Sequence, residues 1–201
     1  MRKFSISFLF LMLCSNLFSQ QLKTYNTIVG DSSDFENIWI SLNGGCSLSC
    51  AIGWRLSATS ALPNKDSISY NAENMNDGDS STAWVEGKKD YGIGEKIIIK
   101  FDSGAATHQI PFDGIQLTNG YAKTKTIWEN NSRVKLFKIY LNGKPQFLLK
   151  LQDSFFPQRI NWGRNFAINE GDVVELEIMD VYKGKKWKDT AISDLSLMGA
   201  H

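Results

Sequence analysis

Asp77-Gly78-Asp79 sets two carboxylates around a glycine. Calcium takes several oxygen ligands, carboxylate and carbonyl together, on a tightly curved backbone, and such a turn can supply them. The same residues can equally form an Asx turn, with the aspartates accepting the following backbone amides. Further on, Glu86 and Glu95 flank a glycine-bearing loop with Tyr91 between them. Paired carboxylates can run acid–base glycoside chemistry. They can also accept sugar hydroxyls, or fix a loop by bonding its amides. Trp84 sits between Ala83 and Val85. It is either a core anchor burying a large apolar area or a face on which a ligand stacks.

A second group falls between residues 119 and 133. Tyr121, Lys123, Trp128, Asn131 and Arg133 occupy one connection ahead of a strong strand, with Asn119 at its start. Connections of about a dozen residues are more often functional than mere spacers. Aromatic faces meet the apolar faces of sugar rings, and amides, Lys and Arg satisfy the hydroxyls. The alternative is a self-packed loop plugging one end of the fold. Lys183, Lys185, Lys186 and Lys188 surround Gly184 and Trp187. This basic knob either attracts an acidic glycan or is a solvated loop. No catalytic residue is assigned. His108 and His201 stand without a motif, which argues against histidine base chemistry and His-rich zinc sites. Gly92 and Gly94 lack the strand-then-helix context of a phosphate-binding loop.

The elements that must position these groups are strands. Lys96–Phe101 is a short β-branched run, and Gly114–Thr118 alternates. Arg133–Leu141 alternates with a slip between Leu136 and Phe137, which predicts a bulge. Asn142-Gly143 predicts a hairpin returning through Phe147–Leu151. Val173–Ile178 and Ile192–Leu197 follow, with one helical turn at Asn71–Met75. Short strands at close spacing indicate a sandwich or barrel.

At the N-terminus, Arg2 and Lys3 precede the apolar run Phe8–Cys14 and then small Ser19. That order predicts a signal peptide over 1–19, and the run is too short to span a bilayer. The expected location is secreted, periplasmic or at the cell surface. Without Arg2 and Lys3 the chain carries 22 − 2 = 20 basic and 21 acidic residues, so nucleic acid is not an expected partner. Residues 20–51 read as an extension with Ile38–Leu42 as an added edge strand. After removal of Cys14 with the leader, Cys46 and Cys50 remain, and an oxidising compartment favours a disulfide between them. Residues 52–201 form the β-sandwich.

Three clusters carry a family likeness: Asn74 to Gly87 with Tyr91 to Glu95; Asn119 to Lys123 with Trp128 and Asn131 to Lys135; and Val181 to Lys185 with Asp189 to Asp194. Over about residues 52–198 the chain resembles galactose-binding-like domains of the discoidin or coagulation-factor type. More narrowly it resembles the glycan-binding domain that accompanies secreted NAD glycohydrolases. The resemblance implies an all-β jelly-roll sandwich and binding to a glycan or glycoconjugate. A cell-surface protein partner is the alternative, and a small glycoside hydrolase a third reading. The implied ligand site comprises Trp84, Glu86, Tyr91, Glu95, Asn119, Tyr121, Lys123, Trp128, Asn131 and Arg133. The implied structural calcium site comprises Asn74, Asp77, Asp79, Thr82 and Asp194.

Overall fold

A computed structural model of the chain describes residues 21–30, 48, 51–104, 109–163 and 166–199. The expected leader, Ile38–Leu42, the two cysteines expected to pair and both histidines lie outside these residues.

The β-rich composition becomes thirteen described strands: β1 (Thr24–Asn26), β2 (Ile28–Val29), β3 (Ile52–Ala58), β4 (Trp84–Val85), β5 (Lys96–Gly104), β6 (Ile110–Pro111), β7 (Gly114–Asn119), β8 (Ser132–Leu141), β9 (Lys144–Lys150), β10 (Gln158–Asn161), β11 (Ala167–Ile168), β12 (Val173–Tyr182) and β13 (Thr190–Met198). One layer runs β1-β9-β8-β12-β5-β3 and the other β2-β10-β7-β13-β4. Among the described residues their strands pair with each other only where β13 meets β8 in parallel, at Thr190–Ser132 and Ala191–Arg133. β6 and β11 pair separately. Inward side chains of both layers share one core: Ile99, Phe137, Ile139 and Leu176 from the first, Leu117, Ile160 and Leu195 from the second. The protein is the all-β sandwich its alternation predicts. Among the described residues no helix is long and apolar enough to cross a membrane.

Two differences have physical reasons. The slip at Leu136–Phe137 is met by an extra residue on the partner strand. Phe137 pairs with Ile178 and Leu136 with Asp180, so Met179 is the extra residue on β12; one step on, Val181 pairs with Val134, so Lys135 is the extra residue on β8, beside the expected slip. Residues 24–29 also belong to the sandwich, with β1 parallel to β9 and β2 antiparallel to β10. Three- and two-residue strands are too short for period-two patterning to register.

Gly114 marks where the second layer is tightest. A Cβ there would meet the Ile160 carbonyl oxygen at 2.0 Å, whereas at Gly53 the nearest atom would be 3.9 Å away. Gly114→Ala is therefore expected to lower stability by about 1–3 kcal/mol through overpacking. Gly53→Ala is expected to be neutral or slightly stabilising. Denaturant unfolding of the two variants checks this, and equal midpoints would contradict it.

Candidate functional site

Three connections meet at one end of the sandwich. The segment after β3 is tied to β4 at both ends: the Leu62 amide donates to the Val85 carbonyl (2.8 Å) and the Val85 amide to the Tyr70 carbonyl (3.2 Å). The segment after β7 contains a six-residue helix, α1 (Lys125–Asn130), whose start is capped by the Thr124 side chain accepting from the Ile127 amide. Its last carbonyls, which a helix end leaves without partners, are met by the segment after β12. The Lys185 amide donates to the Glu129 carbonyl, and the Lys186 and Trp187 amides donate to that of Asn130 (2.9, 3.1 and 2.8 Å). Gly184 permits this approach, because a Cβ would lie 2.4 Å from the Asn130 carbonyl oxygen.

Between these segments lies a pocket of about 350 Å³, lined by Leu62, Lys65, Ile68, Tyr70, Val85, Tyr121, Lys123, Ile127, Asn131, Trp187 and Asp189. Its floor is a small apolar cluster separate from the main core, with Ala83, Val85, Tyr121 and Ala191 at its centre. Tyr70 meets Tyr121 edge to face (6.4 Å, 87°). Neither phenol hydroxyl bonds to a described residue. Burial, reinforced by Tyr70 and Asp79, pushes the Tyr121 phenol up, so it stays a hydrogen-bond donor. Trp187 is 39% exposed on the rim.

Of the residues expected from the sequence, the pocket brings together Tyr121, Lys123 and Asn131. Trp84, Asn119, Trp128 and Arg133 are buried behind it. Trp84 is fully buried and its indole N–H donates to the Ser60 carbonyl (2.9 Å), so it is a core anchor and no stacking face. Asn119 bridges the layers, its amide donating to the Val134 carbonyl and its oxygen accepting the Val134 amide. Trp128 is 6% exposed, donates to the Asn119 carbonyl (2.7 Å) and stacks under the Arg133 guanidinium at 4.3 Å. Arg133 also holds Asp153 through two nitrogens (2.7 and 3.1 Å) and the Trp128 and Asn131 carbonyls through a third. Tyr91 lies outside the pocket beneath Lys183 and Lys188. Trp128, Tyr121 and Tyr91 thus form no shared concave cluster; Tyr70 and Trp187 join Tyr121 instead.

Glu86 and Glu95 do not line the pocket. Glu86 is 0% exposed and accepts the Lys88 and Thr190 amides (2.7 and 3.4 Å). Burial pushes it up to about 7 against those bonds, with Asp189 and Asp90 adding to the rise. Burial also raises Glu95, but hydrogen bonds from Ser60, Thr59 and Lys88 outweigh it and hold Glu95 below its usual value. Both carboxylates fix the loop between them. Gly92 packs directly on Glu86: a Cβ there would lie 2.6 Å from the glutamate Cγ.

The NAD glycohydrolase translocation F5/8 type C domain family matches residues 50–198. The chain belongs to this family. As an F5/8 type C domain it is similar in structure to the arabinofuranosyltransferase AftD from Mycobacteria, at 15% identity and TM-score 0.46, covering 73% of this chain and 10% of that one. It is also similar to CpGH89CBM32-6 produced by Clostridium perfringens, at 10% identity and TM-score 0.40, covering 77% of this chain and 100% of that one. The chain thus spans about a tenth of AftD. No curated protein matches.

In this F5/8 type C domain the Asp77–Thr82 segment forms the Asx turns its sequence permits: the Asp79 amide donates to Asp77 Oδ1, and the Ser81 amide to Asp79 Oδ1, each at 2.8 Å. The remaining oxygens converge. The Thr82 hydroxyl lies 2.8 Å from Asp77 Oδ2, 2.9 Å from the Asp79 carbonyl and 3.4 Å from that of Asn74. Burial raises Asp194, and the nearby Asp77 raises it further. No three His, Cys, Asp or Glu side chains cluster among the described residues. A cation here would therefore rely on carbonyls as much as carboxylates, and an all-oxygen set of that kind fits calcium.

Leu62, Lys65, Ile68 and Tyr70 were not singled out because their segment carries no strand pattern, and Asp189 stood only inside a family-like cluster without a role of its own. Trp187 was visible, but within a run of lysines that reads equally well as solvated surface.

Proposed function

We propose that the domain is a non-catalytic glycan-binding module whose site is the pocket between residues 62–70, α1 and residues 183–189. The observation that carries this reading is the concave grouping of Tyr70, Tyr121 and Trp187 with Lys65, Lys123, Asn131 and Asp189. Ligand sites are typically clefts of about 300–1,000 Å³ with apolar walls and a few placed polar groups, and this pocket has that size and lining. A protein-docking surface would instead present a flat apolar patch.

The test is a glycan array probed with the exported domain and its variants. Tyr121→Ala and Trp187→Ala are expected to weaken binding about thirtyfold, as loss of an aromatic anchor costs about 2 kcal/mol. Binding unchanged in both folded variants, or no glycan bound by the wild type, would reject the pocket as a glycan site.

Calcium belongs to this proposal as a structural ion held by Asp77, Asp194, Thr82 and the carbonyls of Asn74 and Asp79. Binding to the native state alone stabilises by about 2.7 kcal/mol at a hundred times the dissociation constant. The expected result is a melting temperature raised by about 5 °C or more over that in chelator. Identical curves, with no metal found by elemental analysis, would remove calcium from the account.

A further inference from the structure

Resting on the glycan reading, we infer that the pocket selects an anionic sugar, one bearing a carboxylate or a sulfate ester, over its neutral counterpart. The chain as a whole is nearly neutral, with 22 basic and 21 acidic residues, so a local excess of cations is not a by-product of general basicity. The described ion pairs use Arg55, Lys88, Lys96, Arg133, Lys135 and Lys185. Lys65 and Lys123, which line the pocket, are in none of them. Lys186 adjoins Trp187 on the rim, and Lys183 and Lys188 lie beside it around Tyr91; among the described residues none of the three forms a salt bridge, though Lys183 adds to the charge acting on Asp180. They lie instead over aromatic rings, Lys186 at 4.7 Å from Trp187 and Lys183 at 5.1 Å from Tyr91.

The opposing charges are few and placed differently. Asp189 lines the pocket with its carboxylate unpaired among the described residues, where it can accept two sugar hydroxyls. Asp79 feels the charge of Lys123 without forming a salt bridge to it. The lining thus combines an apolar aromatic floor for a ring, one carboxylate for hydroxyls and two uncommitted ammonium groups. A neutral sugar leaves the ammonium groups without a counter-charge. An anionic substituent forms charge-assisted hydrogen bonds with them, about twice as strong as neutral ones.

The experiment uses matched pairs on the full exported domain. A uronate oligosaccharide is compared with its carboxyl-reduced form, and a sulfated glycosaminoglycan fragment with its desulfated form. The expected result is at least tenfold tighter binding to one or both anionic members. Raising the salt from 50 to 500 mM should narrow that gap, because these charges are solvent-accessible. Lys65→Gln and Lys123→Gln together should remove the preference, weakening the anionic member at least tenfold more than the neutral one. Equal binding of both members of each pair would overturn the inference while leaving the glycan site intact. Failure of every member to bind would overturn both. A preference that survives the double lysine variant, in protein that melts like the wild type, would place the anion elsewhere and overturn the inference too.

Discussion

Arg133→Ala is expected to lower the unfolding free energy by about 3 kcal/mol, the low end of the cost of breaking a buried charge pair. The guanidinium is 6% exposed. It grips Asp153 with two nitrogens, reaches the Trp128 and Asn131 carbonyls with the third and covers the Trp128 ring. Removing it exposes the indole and frees both carbonyls at the end of α1. The Asp153 side chain is 41% exposed, so its own loss matters less, and Asp153→Asn should cost under about 1 kcal/mol. Lysine cannot reproduce a planar fork and a stacked face together, so Arg133→Lys should recover less than half of the loss. Urea unfolding of the three variants decides the matter. Equal, small effects from Arg133→Ala and Asp153→Asn would mean that the arginine makes only a surface pair. Because α1 forms one wall of the pocket, Arg133→Ala should also weaken ligand binding without touching the ligand.

The second large effect is a dependence of stability on pH set by Glu86. Its folded value is pushed up to about 7, against an ordinary 4.5. Between those values the folded protein holds a proton that the unfolded chain has released. Stability therefore falls as pH rises from about 4.5 to about 7 and levels off above that. The whole span amounts to about 3 kcal/mol. Asp194, also raised, contributes in the same direction, starting lower, from 3.8. The depressed carboxylates Glu95, Asp79 and Asp180 act oppositely, but only at more acidic pH, where they lose their charge. Glu86→Gln should flatten the curve between pH 5 and 7. The difference between the two proteins isolates this residue from any other group titrating there. A wild-type melting temperature that rises from pH 5 to 7, or a slope unchanged in the variant, would refute the assignment.

How far the sequence reached depended on the kind of signal. β5, β7, β8, β12 and β13 all appeared at or near their expected positions: β5 and β12 bury alternate residues, a period visible over six or more residues, whereas β7 and β13 are buried almost throughout. The Asn142-Gly143 turn followed from residues suited to positive φ, which both adopt. The turn expected at Asn71–Met75 appears as the 3-10 turn Ala72–Asn76. α1 went unseen: six residues are under two turns, too few for a helical period to show. Its stability comes from the Thr124 cap and the amides of residues 185–187. The site was only half legible for a related reason. Tyr121, Trp128 and Arg133 share one stretch of sequence, yet the fold turns Tyr121 toward the pocket and Trp128 and Arg133 into its support. Composition alone assigns all three the same binding role. Tyr70 and Asp189 reach the pocket through β4 pairing and the β12–β13 connection, contacts spanning long stretches of chain.

The tie of Leu62 and Tyr70 to the carbonyl and the amide of one residue, Val85, bears on how this domain changes over generations. Everything between those anchors is a closed excursion beginning and ending at a fixed point on the scaffold. Doubling the length of such an excursion adds only about 0.6 kcal/mol of closure entropy. Insertions, deletions and substitutions at 63–69 can therefore reshape the pocket's outer lip while the sandwich folds as before. The opposite wall has no such freedom, since α1 and residues 184–187 share main-chain hydrogen bonds and a glycine that cannot be replaced without displacing both. Descendants of this chain should accordingly diverge in ligand preference through one lip and hold the other nearly constant. That lip is the place to randomise when a new specificity is wanted.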